Sequence, residues 1–572
     1  MTQLIRSAHV DTFCRDHLPP AEQWPEFRWD IPEVRYPERL NCAVELLDRT
    51  AQRYGAEREC LRPPAERASE RSDAVHGRTA EPAEPRSWSY GELLAAANRV
   101  AHVLVDDCGV VAGNRVLLRG PNNPWLVACW FGVLKAGAVA VTTMPLLRPG
   151  ELTRIGEIAA VDVALCDHRF TGDLVRAGIP GLRLVAYGGE GDGDLTRRVE
   201  AKPVRFPDAD TAADDVALLA FTSGTTGRPK ATMHFHRDVL AIADTFSRHL
   251  LRPTPADLFT GTPPLAFTFG LGGLVVFPLR AGAATLLVER ASPGELADLI
   301  AEHRVSVCFT APTGYRAMLA AGKAAQLQTL RAGVSAGEHL PESTWRAFHE
   351  ATGVKLIDGI GTTELLHIFI AAAGDDIHPG ATGRVVPGYV AAVVDEAGVP
   401  LPPGQLGRLA VKGPTGCRYL ADPRQRDYVR NGWNLTGDTF VQDGDGYFWY
   451  QARSDDMIIS SGYNIAGPEV EEALLAHPDV VECGVVGVPD EERGQLVTAY
   501  VVLRQGVTGD ELEARALQEF ARQQIAPYKY PRAVVFVDSL PRSSTGKLQR
   551  FRLRQAGQAG QAGAEATPAP AT

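Results

Sequence analysis

The chain lacks the cysteine patterns that mark metal ribbons, redox sites and disulfide frameworks. None of its nine cysteines forms a C-x-x-C pair, which argues against a zinc ribbon and a dithiol redox motif. Their odd number and irregular spacing are typical of proteins kept in a reducing compartment. We therefore expect free thiols and a cytoplasmic location.

The sequence also lacks a basic stripe and a long uninterrupted apolar run. Its net charge of −11 argues against a general nucleic-acid-binding protein. The first residues contain no apolar core of signal-peptide length. The most apolar region, Leu126–Leu147, is broken by Lys135, Gly137 and Pro145, so it predicts a buried helix and a strand rather than a membrane span. We expect neither a nucleic-acid nor a membrane partner.

One segment is strongly patterned for binding an anion. Phe221–Lys230, which reads FTSGTTGRPK, follows the apolar run Val216–Ala220. A strand that ends in Ser, Thr and Gly presents hydroxyls and backbone N–H groups that phosphate oxygens can satisfy, while Arg228 and Lys230 add positive charge. The spacing differs from a Walker loop, which needs Gly-Lys followed by Ser or Thr. The segment therefore predicts a nucleotide-phosphate loop of a different kind.

Alternating strand and helix patterns dominate the first part of the chain. The strand patterns Arg115–Arg119 and Ala138–Val141 flank a helix pattern over Trp125–Lys135. Further along, the strand pattern Ala284–Glu289 precedes a helix that starts with a capping box at Ser292. This alternation predicts an α/β fold of mostly parallel sheets covered by helices, with ligands at the carboxyl ends of the strands.

Changes in composition and in the helix and strand patterns divide the chain into several segments. A large N-terminal domain is predicted over 1–453, and a compact α+β domain over 454–554. Within the first, residues 56–86 are rich in Glu, Arg, Ala and Pro and predict a solvated surface insertion. Residues 555–572, built from Gln, Ala, Gly, Pro and Thr, predict a disordered tail.

Five further motifs follow the phosphate loop in a fixed order. They join small residues to carboxylates or cations: Ser335–Glu338, Asp358–Glu364, Leu435–Asp438, Gln451–Asp456 and Pro541–Lys547. Together with the loop they resemble the adenylate-forming superfamily of acyl- and aryl-CoA ligases, carrier-loading adenylation domains and luciferases. Asp358–Phe369 looks like the benzoate-CoA ligase branch, and residues 7–25 look most like 2-aminobenzoate-CoA ligases.

The resemblance implies a reaction in two steps and a fold to match. A carboxylate attacks the α-phosphate of ATP and releases pyrophosphate, and the resulting acyl-AMP then passes its acyl group to the thiol of coenzyme A. Mg²⁺ is the implied metal. The large domain is expected to carry a small β subdomain, and the C-terminal domain is expected to be mobile, rotating between the two steps.

The resemblance also assigns the residues that bind ATP or AMP. The β- and γ-phosphates fall to Thr222, Ser223, Gly224, Thr225, Thr226, Gly227 and Lys230. Gly337 and Glu338 would lie near adenine, and the further expected ATP or AMP contacts are Ser335, Asp358, Gly359, Ile360, Gly361 and Thr362. At Ile360 many members of the superfamily have a tyrosine, so an aliphatic contact here replaces stacking on the base. Asp438 and Arg453 are the expected ribose contacts.

Three residues are expected to act in catalysis itself. Thr363 would contact an α-phosphate oxygen, and Glu364 would hold Mg²⁺, for which a carboxylate is a suitable ligand. Lys547 would enter the site and bridge the carboxylate and the α-phosphate as negative charge develops. Asp455 is the expected hinge, and the CoA tunnel is assigned to Ser461, Gly462 and Tyr463.

The acid pocket follows from the same resemblance. Its expected walls are aromatic and aliphatic, as a flat aryl acid requires: Phe267, Thr268, Phe269, Ile360, Leu365 and His367. His367 is either a contact to a ring substituent or a packed structural residue. The pair His234 and His236 has no third metal ligand nearby in the sequence.

The resulting prediction is an ATP-dependent aryl-acid:CoA ligase acting on 2-aminobenzoate or a closely related benzoate. The alternatives are a benzoate-CoA ligase, an enzyme that loads an aryl group onto a carrier protein, and a catalytically silent ligand-binding relative. The last would be expected to lack Glu364 or Lys547, and both are present. The sequence leaves open a monomer or a homodimer.

Overall fold

The computed structural model describes residues 4–64, 86–223, 229–453, 456–460, 463–490, 493–525, 528–542 and 547–565. Of residues 223, 464 and 559–565 the backbone alone is described. The predicted Gly224, Thr225, Thr226, Gly227, Asp455, Ser461 and Gly462 therefore lie outside the described residues.

Strands make up two large sheets and three smaller ones. In chain order the strands of the described residues are β1 Glu59–Arg62, β2 Trp88–Ser89, β3 Arg115–Arg119, β4 Val139–Thr143, β5 Val163–Asp167, β6 Arg183–Tyr187, β7 Val216–Ser223, β8 Pro229–Phe235, β9 Leu258–Gly261, β10 Ala284–Leu286, β11 Val307–Thr310, β12 Ala332–Ser335, β13 Leu356–Gly361, β14 Ile368–Ala371, β15 Arg384–Val385, β16 Val390–Val394, β17 Leu406–Lys412, β18 Val429–Arg430, β19 Trp433–Gln442, β20 Phe448–Arg453, β21 Ile458–Ser460, β22 Tyr463–Ile465, β23 Val480–Asp490, β24 Gly494–Leu503 and β25 Ala533–Phe536.

Helices cover these sheets. The α-helices of the same residues are α1 Phe13–Asp16, α2 Arg49–Tyr54, α3 Tyr90–His102, α4 Pro124–Lys135, α5 Pro149–Ala159, α6 Thr171–Ala177, α7 Leu195–Arg198, α8 His236–Ile242, α9 Thr268–Leu271, α10 Phe277–Ala281, α11 Pro293–His303, α12 Pro312–Ala320, α13 Glu342–Thr352, α14 Gln425–Tyr428, α15 Gly467–Leu475, α16 Glu511–Gln524 and α17 Arg550–Glu565.

The large domain contains both long sheets. One has the order β6-β5-β3-β4-β7-β8, parallel except for the β7–β8 hairpin at its edge. The other has the order β15-β14-β13-β12-β11-β9-β10-β1-β2 and is parallel from β13 to β1. One hydrophobic core spans both sheets and includes Phe131, Phe246, Phe259 and Phe309. The predicted α/β architecture is confirmed.

Two smaller units complete the fold. Strands β16 to β20 form a five-stranded antiparallel sheet, which is the expected β subdomain. The C-terminal unit packs α15 and α16 against β23, β24 and β25 around a core of its own that includes Ile465, Val485 and Leu517. Because this unit has its own core, the pattern of helices and strands in the sequence changes after residue 453.

The structure corrects the start of the predicted insertion at 56–86. Glu59–Arg62 forms β1 between β10 and β2, and Cys60 and Leu61 in it are fully buried. The charged, proline-rich texture begins after this strand, and residues 65–85 lie outside the described part of the chain. Two apolar residues are too few to predict a buried strand beside a polar segment from the sequence.

The structure also differs from the predicted disordered tail at 555–572. Helix α17 continues to Glu565, past the predicted boundary at 554. Ala and Gln favour a helix enough to extend it through the first part of this segment. Residues 566–572 are not described.

The cysteines and the apolar region agree with expectation. All nine cysteines are buried and unpaired. Leu126–Leu147 contains the buried helix α4 and strand β4, as predicted. Among the residues described, no helix has both the length and the apolarity to span a bilayer.

Candidate active site

The predicted phosphate loop joins β7 to β8 at the edge of the six-stranded sheet. Thr222 and Lys230 face each other in the hairpin register, so both flank the loop. The Thr222 hydroxyl is buried and has no hydrogen-bond partner among the described residues. A buried hydroxyl without a partner costs free energy, and an incoming phosphate oxygen would satisfy it.

Glu364 lies where this hairpin meets the nine-stranded sheet. It follows β13 in a short 3₁₀ turn, Thr363–Leu365, and is almost completely buried. Its Oε1 accepts a hydrogen bond from the Tyr419 hydroxyl at 2.5 Å, and Lys230 Nζ is 3.0 Å from the same oxygen. Lys230 also donates to the Tyr419 hydroxyl. We call Lys230, Glu364 and Tyr419 the carboxylate cluster.

The carboxylate cluster keeps Glu364 ionised. Burial by itself raises the pKa of Glu364, but the charge of Lys230 and the hydrogen bond from Tyr419 outweigh it, and the net pKa is below the usual value. A buried, ionised carboxylate is a suitable ligand for a hard divalent cation. The site therefore fits Mg²⁺, with Glu364 as the residue that would hold it. Bound there, the metal would neutralise phosphate charge.

His234 supports the turn that carries Glu364. Its ring is fully buried on β8, and Nε2 is 2.8 Å from the carbonyl oxygen of Thr363. Burial lowers the pKa of His234 to about 3, so the ring is neutral and Nε2–H is the donor. His236 is also buried, and its Nδ1 accepts instead from the backbone N–H of Cys42 at 3.2 Å. The two rings therefore serve different partners rather than one metal.

Asp438 and Arg453 face each other across the β19–β20 hairpin. Arg453 Nη1 is 3.3 Å from Asp438 Oδ1, and the two residues are register partners. Asp438 is buried, and burial raises its pKa while Arg453 opposes the rise. Gly437 before it has φ +77°, a left-handed conformation that favours glycine. This geometry fits a carboxylate presented to two hydroxyl donors.

Several residues assigned to ATP or AMP binding lie at the ends of two neighbouring strands. Ser335 and Asp358 pair in register between β12 and β13. Ser335 is fully buried and Asp358 is half-buried, and loss of solvent raises the pKa of Asp358 well above its usual value. Ile360 is half-buried, and a Cβ on Gly361 would lie 2.6 Å from the backbone of His367, so a larger residue does not fit there.

Of the remaining predicted ATP or AMP contacts, Gly337 and Glu338 lie against the C-terminal domain, while Thr362 contacts the large domain itself. Gly337 has φ +90° and lies in the turn after β12. Glu338 next to it binds Arg542 at 3.0 Å, and Arg542 also reaches Glu482 on β23 at 3.3 Å. This ion-pair chain joins the two domains close to the predicted nucleotide site. Thr362 after β13 shares a hydrogen bond with the Tyr428 hydroxyl at 3.1 Å.

Lys547 extends from the C-terminal domain to this site. A Cβ on Gly337 would lie 3.7 Å from Lys547 Cε. The residue as a whole is exposed, yet its pKa is lowered, mainly because the ammonium loses solvent, while Asp438 opposes the shift. The carboxylates of Glu338 and Glu364 also act on the ammonium charge. The structure therefore brings Lys547 together with the nucleotide residues.

His367, one of the predicted acid-pocket residues, is buried among aromatic rings, of which only Phe269 was predicted to belong to the pocket. The His367 ring is packed by four phenylalanine rings at centroid distances of 4.5 to 6.4 Å: Phe246, Phe269, Phe277 and Phe309. Neither ring nitrogen has a well-formed hydrogen bond among the described residues. Burial lowers the pKa of His367 to about 3, although the backbone of Phe269 opposes the shift.

The other predicted pocket residues differ in their surroundings. Phe267 caps α9, and Thr268 begins it, both half-buried. Leu365 is fully buried, and its carbonyl accepts from the Thr415 hydroxyl at 2.8 Å, which is a core position. A separate apolar cavity lies nearby and is lined by residues that include Trp130, Leu265 and Leu271. None of the predicted pocket residues lines this cavity.

Tyr463 is not enclosed in this structure. Its side chain is exposed, and its ring stacks on Tyr528 at 4.4 Å within the C-terminal domain. Its assignment to a CoA tunnel therefore stays a prediction that depends on a different domain orientation.

Sequence reasoning missed Tyr419, which completes the carboxylate cluster. It lies 55 positions after Glu364, in the run Gly413–Leu420 that has no charged pattern apart from Arg418. The available signal was the tyrosine beside Arg418 in a glycine-rich stretch after a strand. That signal is weak, because it does not indicate which distant group the hydroxyl meets.

Two family models match this chain. The model described as AMP-binding enzyme matches residues 64–419, and the model described as AMP-binding enzyme C-terminal domain matches residues 469–547. The matched regions contain the phosphate loop, the carboxylate cluster and Lys547.

Named relatives and solved structures extend over nearly the whole chain. A benzoate–CoA ligase of Thauera aromatica is 34% identical, with 92% of this chain and 98% of that protein aligned. A 3-hydroxybenzoate–CoA ligase of Aromatoleum sp. is 33% identical over 83% of this chain and 92% of its own length. The crystal structure of an anthranilate CoA ligase with anthranoyl-AMP has a TM-score of 0.85 and 32% identity, covering 93% of this chain and 100% of that one.

We predict that Asp438→Asn weakens AMP binding by about tenfold or more, because a hydrogen bond to a charged group contributes about 1.5–3 kcal/mol. Isothermal titration with AMP measures the change. Asp443→Asn, in the turn of the same hairpin, is the matched control and is expected to bind AMP as the unaltered protein does. Equal affinities for the two variants would contradict the assignment of Asp438 to the ribose.

Proposed function

Since this chain belongs to the AMP-binding enzyme family of adenylate-forming ligases, we propose that it activates 2-aminobenzoate, or a closely related benzoate, and transfers it to coenzyme A. It is an acid–thiol ligase of the aryl-CoA type that uses ATP and CoA. The choice of acid and the role of each residue are our proposals. We also propose a cytoplasmic location, supported by nine unpaired cysteines.

The observation that carries the proposed substrate is the buried neutral histidine among aromatic rings. A polar nitrogen without a good partner is costly to bury, typically by about 1–3 kcal/mol. An amino group on a bound aryl ring would donate to the unprotonated nitrogen of His367 and offset that cost. The surrounding phenylalanines suit the flat ring itself. Related enzymes that are named for benzoate, hydroxybenzoate and anthranilate support the same class of acid.

In the proposed first step, the aryl carboxylate oxygen attacks the α-phosphorus of ATP, and the bond to pyrophosphate breaks. The enzyme contributes position and charge rather than a covalent intermediate. Thr222 and Lys230 contact the departing phosphates, Thr363 contacts the α-phosphate, and Glu364 would hold Mg²⁺, which would supply positive charge to the phosphates. Lys547 donates hydrogen bonds where negative charge develops.

In the proposed second step, the CoA thiolate attacks the acyl carbon and AMP leaves with the bonding electrons. Lys547 is not required there, because the charge that it stabilises develops only during adenylate formation. The C-terminal domain rotates about Asp455 between the steps, which withdraws Lys547 and brings Tyr463 toward the thiol. The ion pair between Arg542 and Glu338 of the large domain has to break in that rotation.

We predict that Lys547→Ala lowers the rate of aryl-AMP formation by a factor of about 100 to 1000, the usual cost of losing one positioned donor. Pyrophosphate release from ATP and the acid measures this step. Thioester formation from supplied aryl-AMP and CoA is expected to stay within about threefold. The control Lys323→Ala removes a lysine that pairs with Asp298 on the large domain. Equal losses in both steps would refute the division of labour.

The pH dependence of the first step follows from the lowered pKa of Lys547. Because the protonated form is the active one, aryl-AMP formation is expected to fall as the pH rises, at a lower pH than free lysine would require. Thioester formation from supplied aryl-AMP should lack this loss. Lys547→Arg keeps its charge at these pH values and should remove the alkaline fall from the first step. The same fall in Lys547→Arg would assign it to another group.

The proposed acid is tested with benzoates that carry an amino or a hydroxyl group at each ring position. We expect kcat/KM for 2-aminobenzoate to exceed that for benzoate, and His367→Phe to lower this ratio about tenfold, the size of one hydrogen bond. AMP and thioester release are the measurements. If benzoate is the better acid for the unaltered enzyme, the benzoate-CoA ligase alternative replaces our proposal. Transfer only to a carrier protein would favour the other enzymatic alternative.

A further inference from the structure

We propose that the N-terminal segment Gln23–Phe27 is a positioning element of the adenylation site. None of its residues belongs to the carboxylate cluster, yet two contacts connect it to Tyr419. One is a hydrogen-bonded bridge through Gln425, and the other is a stack of rings on Arg418. We infer that these contacts set the place of the Tyr419 hydroxyl, and thereby of the Glu364 carboxylate. The inference rests on the proposed ATP-dependent adenylation.

The segment runs along the outside of the chain that carries Tyr419. The backbone N–H of Glu26 donates to the carbonyl of Gly432 at 2.8 Å, and that of Arg28 donates to Gly413 at 3.0 Å. Phe27 and Gly413 also form an isolated parallel bridge. These contacts hold the segment against Gly413 and Gly432, which precede and follow Tyr419 in the chain.

The same stretch is held on its inner side by β8. The backbone N–H of Met233 donates to the carbonyl of Arg418 at 2.8 Å, and that of Leu420 donates to Ala231 at 2.9 Å. Strand β8 also carries Lys230. The chain around Tyr419 is therefore enclosed between the N-terminal segment and the strand that supplies the cation of the carboxylate cluster.

Gln425 forms the first direct connection. Its side chain is almost completely buried at the start of α14. Oε1 accepts from the backbone N–H of Tyr419 at 2.8 Å, while Nε2 donates to the carbonyl of Gln23 at 2.8 Å and of Cys417 at 3.1 Å. One amide thus joins the N-terminal segment to the backbone of Tyr419.

Arg418 forms the second connection. Its guanidinium has no solvent exposure and pairs with the equally buried Asp238 of α8. Three rings face its Cζ: Phe235 at 3.8 Å, Phe27 at 4.9 Å and Trp24 at 6.0 Å. Nη1 has no hydrogen-bond partner among the described residues, so the aromatic faces supply part of its stabilisation. Two of these three rings come from the N-terminal segment.

The two connections end at Arg418 and Tyr419, which are neighbours in the chain, and the hydrogen bond of Tyr419 requires an accurate position. Tyr419 donates to Glu364 at 2.5 Å, a hydrogen bond that weakens steeply if the donor moves. Loss of the Phe27 ring would leave space beside Arg418, and the backbone of Tyr419 is directly attached to it. A shift of the hydroxyl would then disturb the carboxylate without altering the ribose or acid contacts.

The chain offers a matched pair of variants to test this. Phe13 is also half-buried in the N-terminal region, and its ring lies 4.5 Å from the Cζ of the buried Arg115. Phe27→Leu and Phe13→Leu therefore remove the same kind of contact, but only Phe27 is connected to Tyr419. A general loss of stability would affect both variants alike.

The experiment compares Mg²⁺ dependence and nucleotide binding in the full-length enzyme. We expect Phe27→Leu to raise the Mg²⁺ concentration for half-maximal aryl-AMP formation about fivefold, and Phe13→Leu to leave it unchanged. As a readout without turnover, the thermal shift produced by ATP with Mg²⁺ should shrink in Phe27→Leu, while the shift produced by AMP is retained. Phe27→Tyr should restore both values. Thioester formation from supplied aryl-AMP should be unaffected.

A double substitution tests the route through Tyr419. Tyr419→Phe removes the hydroxyl, so Phe27→Leu should add less than about twofold to its effect if both act through that group. Gln425→Met is a second variant that breaks the amide bridge, and it provides the same test if Phe27→Leu does not fold. Additive effects, or equal changes in Phe27→Leu and Phe13→Leu, would overturn the inference. Failure of the unaltered enzyme to form aryl-AMP would instead reject the proposed function.

Discussion

The site depends on the burial of one ionised carboxylate. Glu364 is almost removed from solvent, a position that raises the pKa of a carboxyl group unless partners stabilise its charge. Lys230 and Tyr419 are those partners, and they come from different parts of the chain. Their convergence joins the β7–β8 hairpin, the turn after β13 and the stretch around Tyr419 into one unit. The neutral His234 also stabilises the turn by donating a hydrogen bond to the carbonyl of Thr363.

The position of Lys547 depends on how the C-terminal domain contacts the large domain. Lys547 reaches Gly337, a predicted nucleotide contact, from a domain with its own core, so its position depends on contacts between the domains rather than on continuous packing. Arg542 supplies such a contact by pairing with Glu338 of the large domain. Half-exposed ion pairs are individually weak, which suits an interface that the proposed mechanism requires to separate and re-form. A large apolar interface would oppose that rotation.

Much of the fold could be predicted from the sequence, and the sequence also supplied the candidate site residues. The alternating patterns around Arg115–Arg119 and Trp125–Lys135 predicted parallel sheets, because strand and helix periods differ strongly. The boundaries at 56–86 and 555–572 were less accurate, since composition does not resolve a four-residue strand or the end of a helix. Tyr419 was not predicted as a site residue, because no sequence pattern indicates which distant group a single hydroxyl contacts.

The sequence by itself determined the class of chemistry, because the order of small, hydroxyl-bearing and charged residues reflects local backbone geometry that a nucleotide requires. The tertiary structure alone decided which groups meet. It buried His367 among four phenylalanines and brought Lys230 to Glu364 across more than a hundred positions. It also placed Phe27 on Arg418, which gives the N-terminal segment a physical connection to the site. Such contacts depend on packing between distant segments, and packing has no local signature.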